Sequence, residues 1–336
     1  MTILSFPEHY FENEIRCGFN ITAMMKHFWA AQMEVLAWID SVCSKYGIRY
    51  IMCFGSLLGT VRHKGYIPWD DDIDIAMLRA DYNRFMEVVP SELPQYFTTK
   101  SLLPGAIPPK ELILGIGNGT RVDTSRGFLN RFHGCPYAVT IDLFAFDRIP
   151  SDPEQFAYQD RLIRLLDRML MLQWDVDKDN LTFETSSEYN NIRKTIESEL
   201  DFTFTDNEPM TIQILRIMDL ACSLCEDCGS NRVENREQML YYGDRGFLEE
   251  HFTDRIFVPY EKVLDVPIPR DYDSILSQIW GDYHIPAKFT GQHPYPSYRL
   301  QREVLYNEYK KRGWQIPDEY IEYDENGKMI PVRDIT

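Results

Sequence analysis

Four aspartates within five residues are the strongest chemical feature of the sequence, in the segment Trp69-Asp70-Asp71-Asp72-Ile73-Asp74-Ile75. Because side chains alternate along an extended chain, Asp70, Asp72 and Asp74 are expected on one face of a strand. Like charges about 6–7 Å apart on a half-buried strand repel each other by roughly 1–3 kcal/mol. A divalent cation would reverse that penalty, and hard oxygen ligands match Mg²⁺ or Mn²⁺. The alternative interpretation is a solvated acidic turn.

Two further features flank the acidic segment. Upstream, Gly55 and Ser56 follow an apolar run that is expected to be a strand, and a short helix is expected after them. The free backbone N–H groups at the start of a helix are suited to binding a phosphate. Downstream, Asp142 lies between strand hydrophobics and could reach the same metal ion or accept a proton from an attacking hydroxyl. Each signal is weak alone, because most Gly-Ser pairs are turns and a lone acid is more often a cap. Their order along the chain favours phosphate transfer.

Cationic and aromatic side chains also precede the acids. Arg62, His63 and Lys64 could contact donor phosphates, Arg62 first because a guanidinium fork matches phosphate geometry. A solvated basic turn is the alternative. Trp69 could stack on a base or a quaternary ammonium, although core packing is the commoner role of tryptophan. Weaker candidates are Tyr66, Tyr283, His284 and His293.

The seven cysteines are an odd number without a regular framework, which predicts reduced thiols and no disulfides. Cys222, Cys225 and Cys228 are spaced like part of a zinc or iron–sulfur set, but a fourth ligand is missing from the pattern. Buried thiols at the end of an apolar helix are the favoured interpretation, and metal binding by these three residues stays open.

Composition limits the classes of protein that need to be considered. The 336 residues are 44% hydrophobic and 26% charged, which excludes a disordered or fibrous chain. A net charge of −17 is the opposite of the basic footprint of nucleic-acid binding, so no nucleic-acid partner is expected. Neither an apolar run of about 18 residues nor a signal peptide occurs. We therefore expect a cytoplasmic protein, with at most peripheral contact at the inner face of the membrane.

Hydrophobic periodicity predicts an α/β protein. Helices are expected over 21–46, 57–63, 80–89 (ended by Pro90), 153–174, 188–200, 210–225 and 272–280. Strands or extended segments are expected over 48–54, 73–77, 112–116, 138–146 and 257–269, and a Pro/Gly-rich surface loop over 94–109. We predict a catalytic core over 15–150, a mainly helical addition over 151–245, a segment that returns to the core over 246–310, and a polar, loose tail over 311–336.

The segment Phe54-Gly-Ser-Leu-Leu-Gly-Thr-Val-Arg-His-Lys-Gly-Tyr-Ile-Pro-Trp-Asp-Asp-Asp-Ile-Asp-Ile75 resembles the signature of the LicD family, which includes fukutin and fukutin-related protein. Similarity continues over 140–150 and 258–286, whereas the middle region is not covered. Three positions depart from the family pattern: Ala145 and Phe146 stand where Pro-Leu is usual, and Trp280 stands where Tyr is common. None of these departures affects a proposed metal ligand.

The resemblance implies a nucleotidyltransferase-like mixed sheet flanked by helices, with a helical insertion and a C-terminal extension. It implies that Asp72, Asp74 and Asp142 hold Mg²⁺ or Mn²⁺. It also implies that Gly55 and Ser56 bind the donor diphosphate. Arg62, Lys64 and Trp69 are further donor-binding candidates because of their own chemistry.

The implied activity is transfer of phosphocholine from CDP-choline to a sugar hydroxyl of a glycan or lipid-linked glycan, of the teichoic acid, lipopolysaccharide or capsule type. Three alternatives remain open. The protein could transfer ribitol phosphate or glycerol phosphate from a CDP-linked alcohol, it could be a true nucleotidyltransferase, or it could be a non-catalytic glycan-binding protein on this fold.

Overall fold

The computed structural model describes residues 3–178, 180, 182–225, 229–287 and 295–322. The strands in this part of the chain are β1 Glu14–Arg16, β2 Phe19–Ile21, β3 Ile51–Met52, β4 Asp74–Leu78, β5 Thr98–Lys100, β6 Leu114–Gly117, β7 Thr140–Arg148, β8 Val233–Glu234, β9 Arg255–Tyr260 and β10 Leu264–Pro269. The helices are α1 Ala23–Tyr46, α2 Phe54–His63, α3 Arg79–Glu92, α4 Arg126–Arg131, α5 Pro153–Val176, α6 Phe183–Glu199, α7 Met210–Cys222, α8 Arg236–Tyr242, α9 Glu250–Thr253, α10 Tyr272–Trp280 and α11 Arg299–Lys311.

A mixed sheet forms the centre of the fold, with strand order β3-β4-β7-β6-β5 and β8 paired to β7. Strands β4 and β7 run parallel, whereas the pairs β3–β4, β7–β6 and β6–β5 are antiparallel. Strands β1 and β2 form one separate hairpin, and β9 and β10 form another. The α/β class with a mixed sheet flanked by helices, predicted from the sequence, is confirmed.

Helix α1 is buried along most of its length and supplies much of the core. It begins because the Thr22 hydroxyl accepts a hydrogen bond from the Met25 N–H at 3.1 Å, which satisfies one of the free donors of the first turn. It ends at Gly47, whose φ of 67° is the left-handed conformation that glycine adopts without a Cβ penalty. Trp29 and Leu36 of this helix are completely buried.

Three local predictions differ from the structure. Pro90 does not end helix α3 but lies inside its last turns, where the loss of one backbone hydrogen bond is tolerated near the helix end. The predicted loop 94–109 contains the short strand β5. The C-terminal segment packs on the core as far as Glu322, whose carboxylate accepts hydrogen bonds from the hydroxyls of Thr22 and Tyr298, each at 2.6 Å.

Buried apolar residues form two clusters, one around α1 and the sheet and a second around α5, α6 and α7. The proposed domain boundaries are consistent with these clusters and remain a prediction. No helix in the described ranges combines the length and the apolar composition needed to cross a bilayer.

A buried ionic group joins the sheet to the helical layer. The Arg79 guanidinium donates through Nε and Nη2 to the Asp147 carboxylate and through Nη1 to Asp219, each at 2.7 Å. Arg79 begins α3, Asp147 lies near the end of β7 and Asp219 lies on α7. Arg79 and Asp147 are only 7% and 3% exposed, so removal of one partner would leave an uncompensated buried charge.

We therefore predict that Asp147→Ala lowers the free energy of unfolding by about 3–5 kcal/mol, measured by urea denaturation. The double variant Arg79→Met/Asp147→Leu removes both charges and should lose clearly less. Arg161→Ala, which breaks an exposed pair with Glu199, serves as the control and should cost no more than about 1 kcal/mol. Equal losses for Asp147→Ala and Arg161→Ala would contradict this prediction.

Candidate active site

The sheet register brings two of the predicted acids side by side. Asp74 is the first residue of β4, and it pairs with Asp142 of the parallel strand β7. Register partners in adjacent strands share a face of the sheet and lie about 5 Å apart, so the two half-buried carboxylates face the same side. The Asp142 N–H donates to the Ile73 carbonyl at 3.0 Å, which fixes this alignment at the start of β4.

The acids repel one another electrostatically. Burial raises the pKa of Asp74 well above its ordinary value, and the charges of Asp72, Asp142 and Asp70 raise it further. Burial also raises the pKa of Asp142 to about 6; the positive charge of Lys100 opposes this rise, and Asp72 adds to it. The structure thus brings Asp72, Asp74 and Asp142 together, as the sequence predicts.

This acidic cluster has the donor chemistry of a Mg²⁺ or Mn²⁺ site, because crowded carboxylates are stabilised by a hard divalent cation. In the described ranges, however, no group of three or more His, Cys, Asp or Glu side chains is arranged so that it could hold a metal ion by itself. Mg²⁺ commonly takes one or two protein carboxylates and completes its coordination with substrate phosphates and water. The residues fit an ion of that kind.

The acidic segment does not alternate as a single strand, because β4 begins only at Asp74. Asp71 is turned into the core, where its Oδ2 accepts a hydrogen bond from the Ser297 N–H at 2.6 Å. Its carbonyl accepts another from the Gln32 side chain at 2.9 Å. Asp71 therefore anchors the segment, while its neighbours face the site.

Gly55 and Ser56 lie at the start of α2, next to the acids. A Cβ on Gly55 would come within 3.1 Å of Asp70 Oδ2, so a larger residue would crowd that carboxylate. The Ser56 hydroxyl oxygen accepts a hydrogen bond from the Asp74 N–H at 2.8 Å, which ties α2 to the first residue of β4. Ser56 thus positions Asp74, and its own hydroxyl proton can still be donated.

Phe54 begins α2 with a φ of 48°, a left-handed conformation that is rare for an aromatic residue. Its ring is held by edge contact with Phe144, with centroids 5.1 Å apart, and by the Arg245 guanidinium 3.9 Å from the ring centroid. Such strained positions persist only where the surroundings hold them, and they concentrate at functional sites. The strained backbone of Phe54 lies directly before Gly55, at the start of α2.

In the structure, the basic segment Arg62-His63-Lys64 makes contacts within the chain, and its contact with a donor stays a prediction. Arg62 donates through Nε to His63 Nε2 and through Nη1 to the Tyr283 carbonyl, both at 2.9 Å, so it holds the segment after α10 against α2. Burial lowers the pKa of His63 to about 4, and the charges of Arg62 and Arg16 lower it further, which leaves this imidazole neutral at pH 7. Exposed Lys64 turns back and donates to the Val61 carbonyl at 3.0 Å.

Trp69 is half-buried, and its ring contacts Phe19 and His63 edge to face, with centroids 6.2 Å apart in each case. Tyr283 is buried and His284 packs on its ring, whereas His293 lies outside the described residues. Contact of any of these residues with a donor stays a prediction.

Sequence reasoning missed two cations beside the acids. Arg245 is buried against Phe54, bonds to Glu234, and lowers the pKa of Asp74 against the larger effect of burial. Lys100 lies on β5, within the segment predicted to be a loop. Neither residue belongs to a sequence motif: Lys100 is brought to the site by strand pairing and Arg245 by packing on Phe54.

Among the described residues, the cysteines do not form a group that could hold a metal ion. Cys225 is disulfide-bonded, so the prediction that disulfides are absent is wrong there, and its sulfur is not available as a thiolate ligand. Cys222 is a buried free thiol, as predicted. Cys228 lies outside the described residues.

The raised pKa of Asp142 predicts a pH effect on stability. Between its ordinary value of 3.8 and about 6, the folded state keeps a proton that the unfolded chain has lost, so stability falls as the pH rises through this window. Asp142→Asn removes this effect. Without divalent metal, the variant should be more stable than the wild type by roughly 1–3 kcal/mol at pH 8 and about equally stable at pH 4.

The measurement is urea unfolding in the presence of a chelator at both pH values. Asp206→Asn, at an exposed acid between α6 and α7, is the control and should show no such pH-dependent difference. If the stability difference between Asp142→Asn and the wild type were the same at pH 4 and pH 8, repulsion at this carboxylate would be refuted.

Comparison with known proteins finds relatives of the segment that contains α2 and β4. Residues 47–104, which include Ser56 and Asp74, match the family model described as the LicD/FKTN/FKRP nucleotidyltransferase domain. The lipopolysaccharide cholinephosphotransferase LicD of Haemophilus influenzae is 31% identical over 124 residues, which are 36% of this chain and 44% of that protein.

Uncharacterized proteins of Rickettsia typhi and Rickettsia prowazekii are 45% and 43% identical over 47 residues, which are 14% of this chain in each case and 15% and 18% of those proteins. The chain thus spans less than half the length of these curated relatives. The matches confirm the resemblance to the LicD family that the signature over residues 54–75 indicated.

Proposed function

We propose that the protein is a phosphotransferase that moves phosphocholine from CDP-choline to a sugar hydroxyl of a cell-surface glycan precursor. The observation that carries the proposal is the in-register pair of Asp74 and Asp142, held against the start of α2 by Ser56. In-line phosphoryl transfer asks a protein mainly for positioning and charge neutralisation; the fixed acids supply the positioning, and a divalent cation bound to them would supply the neutralisation. The similarity to the Haemophilus cholinephosphotransferase supports choline as the first donor alcohol to test.

In the proposed site, Asp72, Asp74 and Asp142 would hold Mg²⁺ or Mn²⁺, which would neutralise charge on the phosphates when bound. The backbone N–H groups of Gly55 and Ser56 at the start of α2 would bind the donor diphosphate, since such groups favour anions. If Asp142 does not ligate the ion, its carboxylate would instead accept the proton of the attacking sugar hydroxyl. Arg62 stabilises the departing CMP from the opposite end of α2.

The proposed partners are a CDP-linked alcohol and a glycan or lipid-linked glycan. We propose a cytoplasmic location with peripheral contact at the inner face of the membrane, where such acceptors would be met. Transfer of ribitol phosphate or glycerol phosphate uses the same machinery and remains the alternative donor chemistry.

The donor prediction is tested with purified protein, Mg²⁺ or Mn²⁺ and a glycan acceptor, using CDP-choline labelled in its base, its phosphorus and its choline. CMP should be released, and phosphorus and choline labels should appear together on the acceptor. CDP-ribitol and CDP-glycerol serve as competing donors. Release of phosphocholine with base label on the acceptor would identify transfer of the nucleotidyl group instead, and the absence of transfer from any donor would favour a non-catalytic glycan-binding protein.

A second prediction separates the roles of Arg62, in the last turn of α2, and Lys64, which directly follows α2. Arg62→Ala should lower kcat/KM for the donor by about tenfold or more, because a charge-assisted phosphate contact contributes roughly 1.5–3 kcal/mol. Lys64→Ala should change it by less than about threefold, since the Lys64 ammonium turns back to the Val61 carbonyl. Arg62→Lys controls for loss of the contact with Tyr283. Equal effects of Arg62→Ala and Lys64→Ala would assign Arg62 to a structural role only.

A further inference from the structure

A row of four residues crosses the sheet at the level of the acids. Asp74 pairs with Asp142, Asp142 pairs with Gly115 of β6, and Gly115 pairs with Lys100 of β5. Residues that are directly opposite in neighbouring strands project to the same face of a sheet. The Lys100 side chain therefore shares the face that carries the two carboxylates.

Gly115 leaves the space between Lys100 and Asp142 without a side chain. A Cβ at this position would lie 3.3 Å from Lys100 Cβ and 3.8 Å from Asp142 Oδ1, so both neighbours flank the same side of the glycine. It would also approach Thr140 Cγ2 to 2.9 Å, which real Cβ atoms do not do. A larger residue would therefore not fit at Gly115. Because glycine has no side chain, nothing stands between the Lys100 side chain and Asp142 at this position.

Lys100 is half-buried, yet in the ranges that the structure describes its ammonium forms neither an ion pair nor a hydrogen bond. Its charge reaches the site, because it opposes the larger effect of burial on the pKa of Asp142. A half-buried lysine beside an acidic cluster gains from an anionic partner, and the ammonium group is a common point-charge ligand of phosphate.

The strand order separates Lys100 from the donor residues. Gly55 and Ser56 lie on α2, which connects β3 to β4 at one edge of the sheet. Strand β5 forms the other edge, three strand spacings or about 14 Å from β4. A donor bound at α2 and a ligand bound at Lys100 would therefore meet from opposite sides of the acids.

We propose that Lys100 forms the acceptor side of the site and binds a phosphate group carried by the acceptor. The assignment of sides rests on the function proposed above, since that function places the donor at α2. The phosphate would lie over Gly115, between the ammonium of Lys100 and the acids, and would direct the attacking hydroxyl toward Asp142. The acceptor class is therefore a phosphorylated or phosphate-linked glycan.

The test uses the full chain and titrates inorganic phosphate, followed by ³¹P NMR. Lys100→Gln should weaken phosphate binding about tenfold or more, because it removes a charge-assisted contact, whereas Lys100→Arg should retain it. Lys194→Gln, at an exposed lysine of α6, is the matched control and should bind like the wild type. Arg62→Ala separates phosphate bound on the donor side from phosphate bound at Lys100, since the binding that Lys100→Gln loses should be retained in Arg62→Ala.

A separate titration with CDP-choline completes the test. Lys100→Gln should bind CDP-choline within about twofold of the wild type, whereas Arg62→Ala should bind it about tenfold more weakly. Unchanged phosphate affinity in Lys100→Gln would overturn the proposal. A joint loss of phosphate and CDP-choline binding in that variant would also overturn it, because Lys100 would then bind the donor. Failure of the wild type to bind CDP-choline would refute the proposed donor and leave the phosphate result as the test of Lys100.

Discussion

Repulsion between carboxylates that the fold forces together is the constraint on which the rest of this structure depends. Asp74, the first residue of β4, and Asp142 of the parallel strand β7 are in register, and Asp72 lies close enough to raise the pKa of both. In a folded protein such crowding lowers stability unless a cation or a proton offsets it. The arrangement is therefore hard to explain by folding alone and is best explained by the chemistry of a charged substrate.

Several contacts hold the acids in place against that repulsion. Ser56 binds the N–H of Asp74, and Asp71 is anchored in the core by Gln32 and the N–H of Ser297. These contacts come from α2, from α1 and from the segment before α11, so elements distant in sequence converge on the start of β4. Phe54 stores backbone strain at the same place. The site is thus positioned by the whole core.

Features that depend on residues close together in the sequence could be predicted, whereas features that depend on contacts between distant residues could not. Helices α1 and α10 could be located because their periodicity is local and because each is followed by a glycine with a positive φ, Gly47 and Gly281. The acids could be predicted because their spacing and their family signature are local as well. Strand β5 could not be predicted, because its three residues lie in a Pro/Gly-rich segment and form a strand only by pairing with β6.

The same reasoning explains which site residues escaped prediction. Lys100 reaches the acids through two strand pairings, and Arg245 reaches Asp74 through packing on Phe54, so neither leaves a pattern in the sequence. The partners of Arg62 were equally hidden, because the Tyr283 carbonyl belongs to a segment far along the chain. Type and spacing thus identified the acids, whereas the cations that surround them required the fold.

The most direct test of the central claim is a titration of Mn²⁺ into the full chain in the presence of CDP-choline, followed by electron paramagnetic resonance of the free ion. The wild type should bind Mn²⁺, and Asp74→Asn should bind it at least about tenfold more weakly, because one carboxylate ligand is lost. Circular dichroism of both proteins should be the same. Equal Mn²⁺ affinity in the wild type and in Asp74→Asn would contradict the claim that these crowded carboxylates form a metal-dependent phosphotransfer site.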